Sequence, residues 1–416
     1  MKQEILSKQT GPLLTMGQGV FVHFRASTTI GIASEVLRLA LARAVLLSET
    51  ITPVRVGWPK FSKVARYPTR IYHEIRAPRL ASGSGIRYAW SLLKAFLAQI
   101  VNAVCWRLSL SAYGYPLSPE GQYGLFFNAP LLYQRVLGKQ SKLGALKSVA
   151  KAVRAFGPVD ISHEVSSQCA AQLPDLGVGP GDWFVCLHVR TSLFHGDNAD
   201  YRNAQFHNYE ATINYILGLG GKVVRMGDSG SGIVTCPKQG LIDYPNARFK
   251  SEQMDLYLIK NCRFYIGTTS GILDTAYLFQ TPTLCVNSLH FDFRSPNLRD
   301  RVLFKRVNRK RDSRSLSFDQ AMACYDDLLA VDWSDRYEFI ENTGEEILDA
   351  AKEFLNGLYS RAVVTTRQAK ARRLLIRNWF RRAKNHGSEF SMQSASIAFS
   401  RCQIADSCLE RWSRVQ

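Results

Sequence analysis

Trp183-Phe-Val-Cys-Leu-His-Val-Arg190, followed by Thr191-Ser-Leu-Phe-His-Gly-Asp197, is the stretch whose reading decides the architecture. The seven residues from Trp183 to Val189 are nearly all apolar and show no alternation, the pattern of a strand buried on both faces, as in a parallel sheet. An arginine and a loop containing Ser, Gly and Asp follow at once, so the buried run ends in polar chemistry. In open α/β sheets ligands sit at the carboxyl ends of the strands, and a guanidinium there can grip a phosphate through two parallel charged hydrogen bonds. Pairing of Arg190 with a neighbouring carboxylate is the alternative; matching chemistry at two further strand ends weighs against it.

Downstream, strands and helices alternate. Helix 206–219 leads to strand Lys222-Val-Val-Arg-Met226, helix 252–261 to strand Arg263-Phe-Tyr-Ile266, and helix 271–279 to strand Thr283-Leu-Cys-Val286. Such alternation predicts a parallel, Rossmann-like sheet. The first strand end offers His188 and Arg190, the second Gly227 and Asp228, and the third Gly267-Thr268-Thr269-Ser270-Gly271 immediately before a helix. That last segment combines backbone N–H groups, hydroxyls and the positive end of a helix dipole, which together make an anion cradle. Alone it also fits a plain turn. The loop after Arg190 adds His195, Asp197, Asp200, Tyr201, Arg202 and Asn203. His188, His195 and Asp197 lack the helical His pair or Cys partner of a metal site, so neither a metal nor any other cofactor is called for.

Four segments together carry a resemblance: Phe-Val-Cys-Leu-His-Val-Arg (184–190), Tyr-Arg-Asn-Ala (201–204), Val-Val-Arg-Met-Gly-Asp (223–228) and Cys-Arg-Phe-Tyr-Ile-Gly-Thr-Thr-Ser-Gly (262–271). They resemble a family of bacterial glycosyltransferases of surface-polysaccharide clusters, itself distantly similar to fucosyltransferase-type GT-B enzymes. The resemblance covers about residues 170–290, touches the N-terminal half only in its Thr-Ile-Gly-Ile-Ala loop, and omits the tail. It implies that Arg190 binds a donor pyrophosphate with His188 beside it, and that Thr268, Thr269 and Ser270 contact phosphates or ribose. The chain departs from the family pattern at Thr191 and Gln205, where acidic residues are common.

Before this region, Gly19-Val-Phe-Val-His-Phe24 reads as a strand and Ile32–Leu47 as a helix, the start of another α/β unit. Glu35 lies near the start of that helix, where it either compensates the dipole or faces a cleft. From Ile51 to Leu110 ten Lys/Arg stand against one acid, Glu74. The long apolar run Tyr88–Leu110 is interrupted by Lys94, Gln99, Asn102 and Arg107, which argues against a bilayer span and leaves a core helix or an interfacial one. A second basic helix covers about Lys142–Phe156. Pro174, Gly177, Gly179-Pro180 and Gly181 mark the end of an inter-domain connection that starts near residue 157. Arg299–Arg314 reads as a basic loop, and Thr343-Gly-Glu-Glu346 as a capping box for a helix reaching Leu358. Residues 361–416 carry twelve basic residues and three acids, and Arg367–Lys384 is amphipathic around Leu374, Leu375, Ile376, Trp379 and Phe380: either a membrane-surface helix or a solvated extension.

The net charge of +19 predicts an anionic partner, and the absence of any nucleic-acid-reading motif argues against DNA or RNA. Nine cysteines without CxxC or CxH spacing fit reduced, buried thiols, and the first residues lack a signal-peptide pattern, so a cytoplasmic place is expected, peripheral on the membrane's inner face if the basic segments bind lipid. The expected chain is α/β and GT-B-like: residues 1–158 an acceptor-side Rossmann-like domain, 159–358 a nucleotide-sugar-binding Rossmann-like domain facing it across a cleft, and 359–416 a basic, helical or disordered tail. The expected activity is metal-independent, inverting transfer from a nucleotide-diphosphate sugar, GDP-linked by resemblance, to a surface-glycan or lipid-linked acceptor. Asp197, Asp228 and Glu35 are the candidates for the general base. A non-catalytic nucleotide- or polyanion-binding protein at the membrane is the competing expectation.

Overall fold

The structure, a computed structural model, describes residues 19–25, 30–47, 50–56, 74–80, 142–191, 201–228, 232, 238–289, 299–324, 328, 333–360, 363–385 and 402–413. The apolar run Tyr88–Leu110 lies outside them. Two compact units divide between Asp160 and Ile161. In the first, strands Gly19–Arg25 and Thr50–Val56 pair in parallel on either side of helix Ile30–Leu47 in sequence. A parallel pair requires such a crossover, because a tight turn can join only antiparallel neighbours. The helix packs against Lys142–Arg154 and buries Ala33, Leu37, Ala40, Leu41 and Ala44, spaced by three and four residues. It starts earlier than the pattern suggested, at Ile30, so Glu35 falls beyond the first turn, where dipole compensation fades. Glu35 is instead buried, as is Arg38 on the following turn.

The second unit is built on a seven-stranded, all-parallel sheet. Its strands are β1 (Phe184–His188), β2 (Lys222–Met226), β3 (Leu241–Asp243), β4 (Tyr265–Gly267), β5 (Thr283–Ser288), β6 (Arg301–Phe304) and β7 (Gln403–Ile404). Its helices include α1 (His163–Gln172), α2 (Glu210–Gly218), α3 (Glu252–Asn261), α4 (Gly271–Phe279), α5 (Gly344–Tyr359), α6 (Thr366–Asn385) and α7 (Asp406–Ser413). Read across the sheet, the order is β3-β2-β1-β4-β5-β6-β7. This is a doubly wound arrangement, and its strand order reverses between β1 and β4. Val185, Cys186, Val223, Ile266, Leu284, Val286 and Val302 have no exposed surface, as expected of strands covered on both faces. Trp183 sits so close to Gly221 that a Cβ there would meet its ring at 2.4 Å, which holds the β1–β2 entrance together.

Two segments differ from the sequence reading. Arg299–Arg314 is not a basic loop: it supplies β6 and then strand Arg306–Arg309, which pairs antiparallel with Arg314–Ser315 and Tyr337–Ile340. The described residues of 359–416 do not form a separate tail either. The described part belongs to the second unit and ends by adding β7 to the sheet edge beside β6. Of the apolar positions of α6 that suggested a membrane face, Leu375 and Trp379 are buried with Ala371 against the protein, while Leu374, Ile376 and Phe380 are half-buried.

Glu353 on α5 is what fastens this segment. Its Oε1 accepts from Arg301 Nε at 2.9 Å and from Gln368 Nε2 at 2.9 Å, and its Oε2 accepts from the Asp406 amide at 2.7 Å. One carboxylate thus joins β6, α5, α6 and the start of α7. Gln368 also donates to the Ile404 carbonyl of β7 at 2.9 Å. Removing the carboxylate deletes the Glu353 charge at the Arg301 guanidinium, whose side chain is 3% exposed, and three hydrogen bonds with it. Glu353→Ala is therefore expected to lower unfolding free energy by about 2 to 4 kcal/mol. Urea denaturation measures this, and limited proteolysis should show new cleavage after residue 360; an unchanged midpoint and digest would contradict the assignment.

Candidate functional site

The reversal of strand order brings together the ends of β1 and β4, where His188 faces Gly267 in register. A side chain at Gly267 would put its Cβ 2.8 Å from the His188 carbonyl oxygen and 2.9 Å from the Tyr265 ring, so only glycine lets the two backbones approach this closely. The Thr268 amide then donates to that same carbonyl at 3.2 Å. Two residues beyond His188, the Arg190 amide donates to the buried Thr268 hydroxyl at 3.1 Å. The sequence-predicted residues Arg190 and Thr268, 78 positions apart, are in direct contact.

From here a closed circuit of hydrogen bonds runs around the carboxyl edge of the sheet. Thr269 Oγ1 donates to Ser288 Oγ at 3.2 Å, at the end of β5. The Ser288 carbonyl accepts from the Lys305 amide at 2.9 Å, just past β6. Lys305 Nζ donates to the Asn203 carbonyl at 2.6 Å, and the Ala204 amide returns to the Arg190 carbonyl at 2.9 Å. The loop Tyr201-Arg202-Asn203 is thereby held against the ends of β1 and β6. Tyr201 packs edge-on against Trp333 and Phe339, and Arg202 lies 5.8 Å from the Tyr201 ring centroid.

Ser270 occupies the N-cap position of α4, yet its hydroxyl does not cap the helix; it meets His188 Nδ1 at 3.2 Å. Ser251, at the same position of α3, caps in the ordinary way by accepting from the Met254 amide at 3.1 Å. The first turn of α4, beginning at the exposed Gly271, therefore keeps N–H groups that no side chain of its N-cap residue satisfies. Arg190 itself is buried, 9% exposed.

His188 is held far below the ordinary histidine range, at about 3, first by burial of its ring and then by the charges of Arg190, Lys250 and Arg225. At neutral pH it is an uncharged imidazole whose Nδ1 bonds Ser270. Lys250, which sequence reasoning did not single out, is bonded to both oxygens of Asp255 at 2.6 Å. Burial raises the Asp255 carboxyl, and Lys250 opposes that. Arg225 pairs with Asp243 on β3 and donates twice to the Gly232 carbonyl, at 3.0 and 3.1 Å, anchoring the loop after β2. Gly227, with φ of 149°, turns the chain out of β2 and leaves Asp228 exposed at the strand end. Asp197, with His195, lies outside the described residues.

Lys305 is the other residue missed. The apolar triplet Val302-Leu303-Phe304 followed by a lysine repeats the strand-then-cation pattern of residues 184–190, and that was the available signal.

No protein-family model matches the chain, and no curated protein matches it. Among solved structures, a glycosyl transferase family 9 protein from Veillonella parvula DSM 2008 aligns with a TM-score of 0.35 and 13% identity, over 64% of this chain and 79% of that one. A likeness at that level carries no argument about activity.

Two outcomes follow from the geometry. Gly267→Ala forces the β1 and β4 ends apart, and a loss of about 1 to 3 kcal/mol in thermal or urea unfolding is expected. For His188 the folded state disfavours the proton, so its contribution is complete above the unfolded value near 6.5 and is lost as pH falls toward about 3, by up to about 1.4 kcal/mol per pH unit. His188→Asn, which removes the titrating group, should flatten the decline of stability between these limits; a parallel, unflattened curve would show that His188 is not responsible.

Proposed function

We propose that the protein is a glycosyltransferase that moves a sugar from a nucleotide-diphosphate donor, GDP-linked by resemblance, to a surface-glycan or lipid-linked acceptor. The observation that carries this reading is the direct contact of Arg190 with the Gly267–Gly271 segment at the strand-order reversal. As the bond from the anomeric carbon to the β-phosphate breaks, negative charge grows on the departing diphosphate. The Arg190 guanidinium, carried on a backbone held by Thr268, and the amides at the start of α4 stabilise that charge with little reorganisation. The neutral His188 holds Ser270, which leaves the helix amides for the phosphates. In inverting transfer a carboxylate removes the acceptor's hydroxyl proton; Asp228, exposed at the end of β2, and Asp197 are the candidates. Arginine and helix dipole together supply the neutralisation that a divalent cation supplies elsewhere, so the route is metal-independent. The N-terminal unit takes the acceptor.

Thr191 and Gln205, standing where acids are common in the resembled family, favour a second reading: a nucleotide-binding protein that retains the cradle without turnover. Release of free nucleotide from a donor sugar in the presence of acceptor distinguishes the two.

Arg190→Ala is expected to weaken nucleotide-diphosphate binding by roughly 10- to 150-fold, the worth of a charged hydrogen bond of about 1.5 to 3 kcal/mol. Arg190→Lys should recover part of the loss, since an ammonium restores charge without the planar two-pronged geometry. Isothermal titration with GDP, UDP and CMP at fixed salt measures this, with circular dichroism as the check on folding. GDP should bind tightest, and EDTA should leave binding intact. Binding by Arg190→Ala equal to the parent's would remove the phosphate assignment.

A further inference from the structure

Helix α6 has eight basic residues and no acid in its twenty positions. Lys370, Arg373, Arg377, Arg381 and Lys384 follow one another at spacings of three and four, and all five are exposed. That spacing keeps them on one face of the helix, in a row about 21 Å long. The opposite face is committed, with Gln368, Ala371, Leu375 and Trp379 buried. The row is therefore fixed to a rigid body. Among the described residues, four large hydrophobic side chains are exposed, and three of them directly precede this helix: Tyr359 at 64%, Val363 at 73% and Val364 at 42%.

We propose that this cationic face of α6, with Val363 and Val364 at its N-terminal end, docks on a membrane surface rich in anionic lipid. Charge complementarity requires a polyanion, and the adjoining exposed valines select lipid over nucleic acid, since apolar side chains gain by entering the headgroup region. The mode differs from an inserted amphipathic helix. Ala371, Leu375 and Trp379 of α6 are held in the protein's own core, so the helix lies on the headgroups and the two exposed valines enter. No helix among the described residues is long and apolar enough to cross a membrane. The inference rests on the charge of α6 and not on the strand-end site, so nucleotide binding and lipid binding can fail separately.

The test is co-sedimentation of the full chain with vesicles of phosphatidylcholine alone and of phosphatidylcholine with phosphatidylglycerol, at low and high salt. Binding to the anionic vesicles, weakened by salt, is expected. Exchange of Lys370, Arg373, Arg377 and Arg381 for Gln, which preserves helix propensity, should lower the partition coefficient by more than about a hundredfold, at roughly fivefold per cation. Val363→Ser with Val364→Ser should abolish the part of the binding that survives high salt. Circular dichroism and thermal unfolding confirm that both variants are folded. Equal binding to neutral and anionic vesicles, or binding unaffected by the Gln exchanges, overturns the proposal. So does binding of single-stranded RNA as tight as that of anionic vesicles and equally dependent on the four cations.

Discussion

Strands β1 and β4 are neighbours although the chain leaves β1 toward one edge of the sheet and β4 toward the other. Their crossover helices therefore diverge, and a crevice opens above the two strand ends. Below that crevice the backbones must touch, and at Gly267 a single Cβ would push into the His188 carbonyl at 2.8 Å. The candidate site is a consequence of this contact. With the strands in register, the Thr268 amide reaches His188, the Thr268 hydroxyl reaches Arg190, and Ser270 is drawn to the imidazole and away from its helix. Moving either strand by one residue would turn every side chain to the opposite face and separate the arginine from the helix start.

Rigidity at this edge comes from pairs that a buried polar group requires. Asn287 and Asn342 exchange backbone-to-side-chain bonds at 2.7 Å each, tying the end of β5 to the segment before α5. Asn287 carries a φ of 54°, a left-handed conformation that asparagine tolerates better than most residues, and its remaining amide donor meets the Tyr209 hydroxyl. Asn342 in turn donates to the Phe304 carbonyl of β6 at 2.9 Å. Such groups cost about 1 to 3 kcal/mol each when buried unbonded, so the network admits few alternative packings. The carboxyl ends of β5 and β6 are held in place by this pair, and with them Ser288 and Lys305 of the hydrogen-bonded circuit.

Where local pattern and tertiary role agree, the sequence is readable. Lys222–Met226, Glu252–Asn261 and Gly271–Phe279 occupy the spans their periodicity predicts, and the capping box at Thr343 and Glu346 forms as its spacing requires. The convergence of His188, Arg190 and the 267–271 segment is legible because each lies just past an apolar run. The elements that escaped are those whose partners come from far along the chain. β3 has three half-buried residues and no apolar run of its own; β7 is only two residues long, both buried, and pairing with β6 is what makes it a strand. β6 is hidden by Arg299, Arg301, Lys305 and Arg306, cations that read as surface although Arg301 and Lys305 are 3% exposed. Glu353, the long-range counterpart of Arg301, carries no signal in its own neighbourhood. The amphipathic pattern of α6 is real, but a hydrophobic stripe says only that something covers it, and here the protein itself covers Ala371, Leu375 and Trp379.

The chain's excess of positive charge is divided by these same rules. An unpaired cation in the interior costs several kcal/mol; Arg225 is matched by Asp243, Lys250 by Asp255 and Arg301 by Glu353, and Lys305 donates to a backbone carbonyl. Along α6 the opposite holds. Neighbours three and four residues apart lie about 5 to 6 Å from one another, inside the Debye length at physiological salt, so each like-charged pair destabilises the helix by a few tenths of a kcal/mol. Intrinsic propensity does not explain why such a row persists as helix; burial of Ala371, Leu375 and Trp379 and the bonds of Gln368 do. The packing that fixes the far side of α6 thus sustains a repulsion on the near side that a negatively charged surface would relieve.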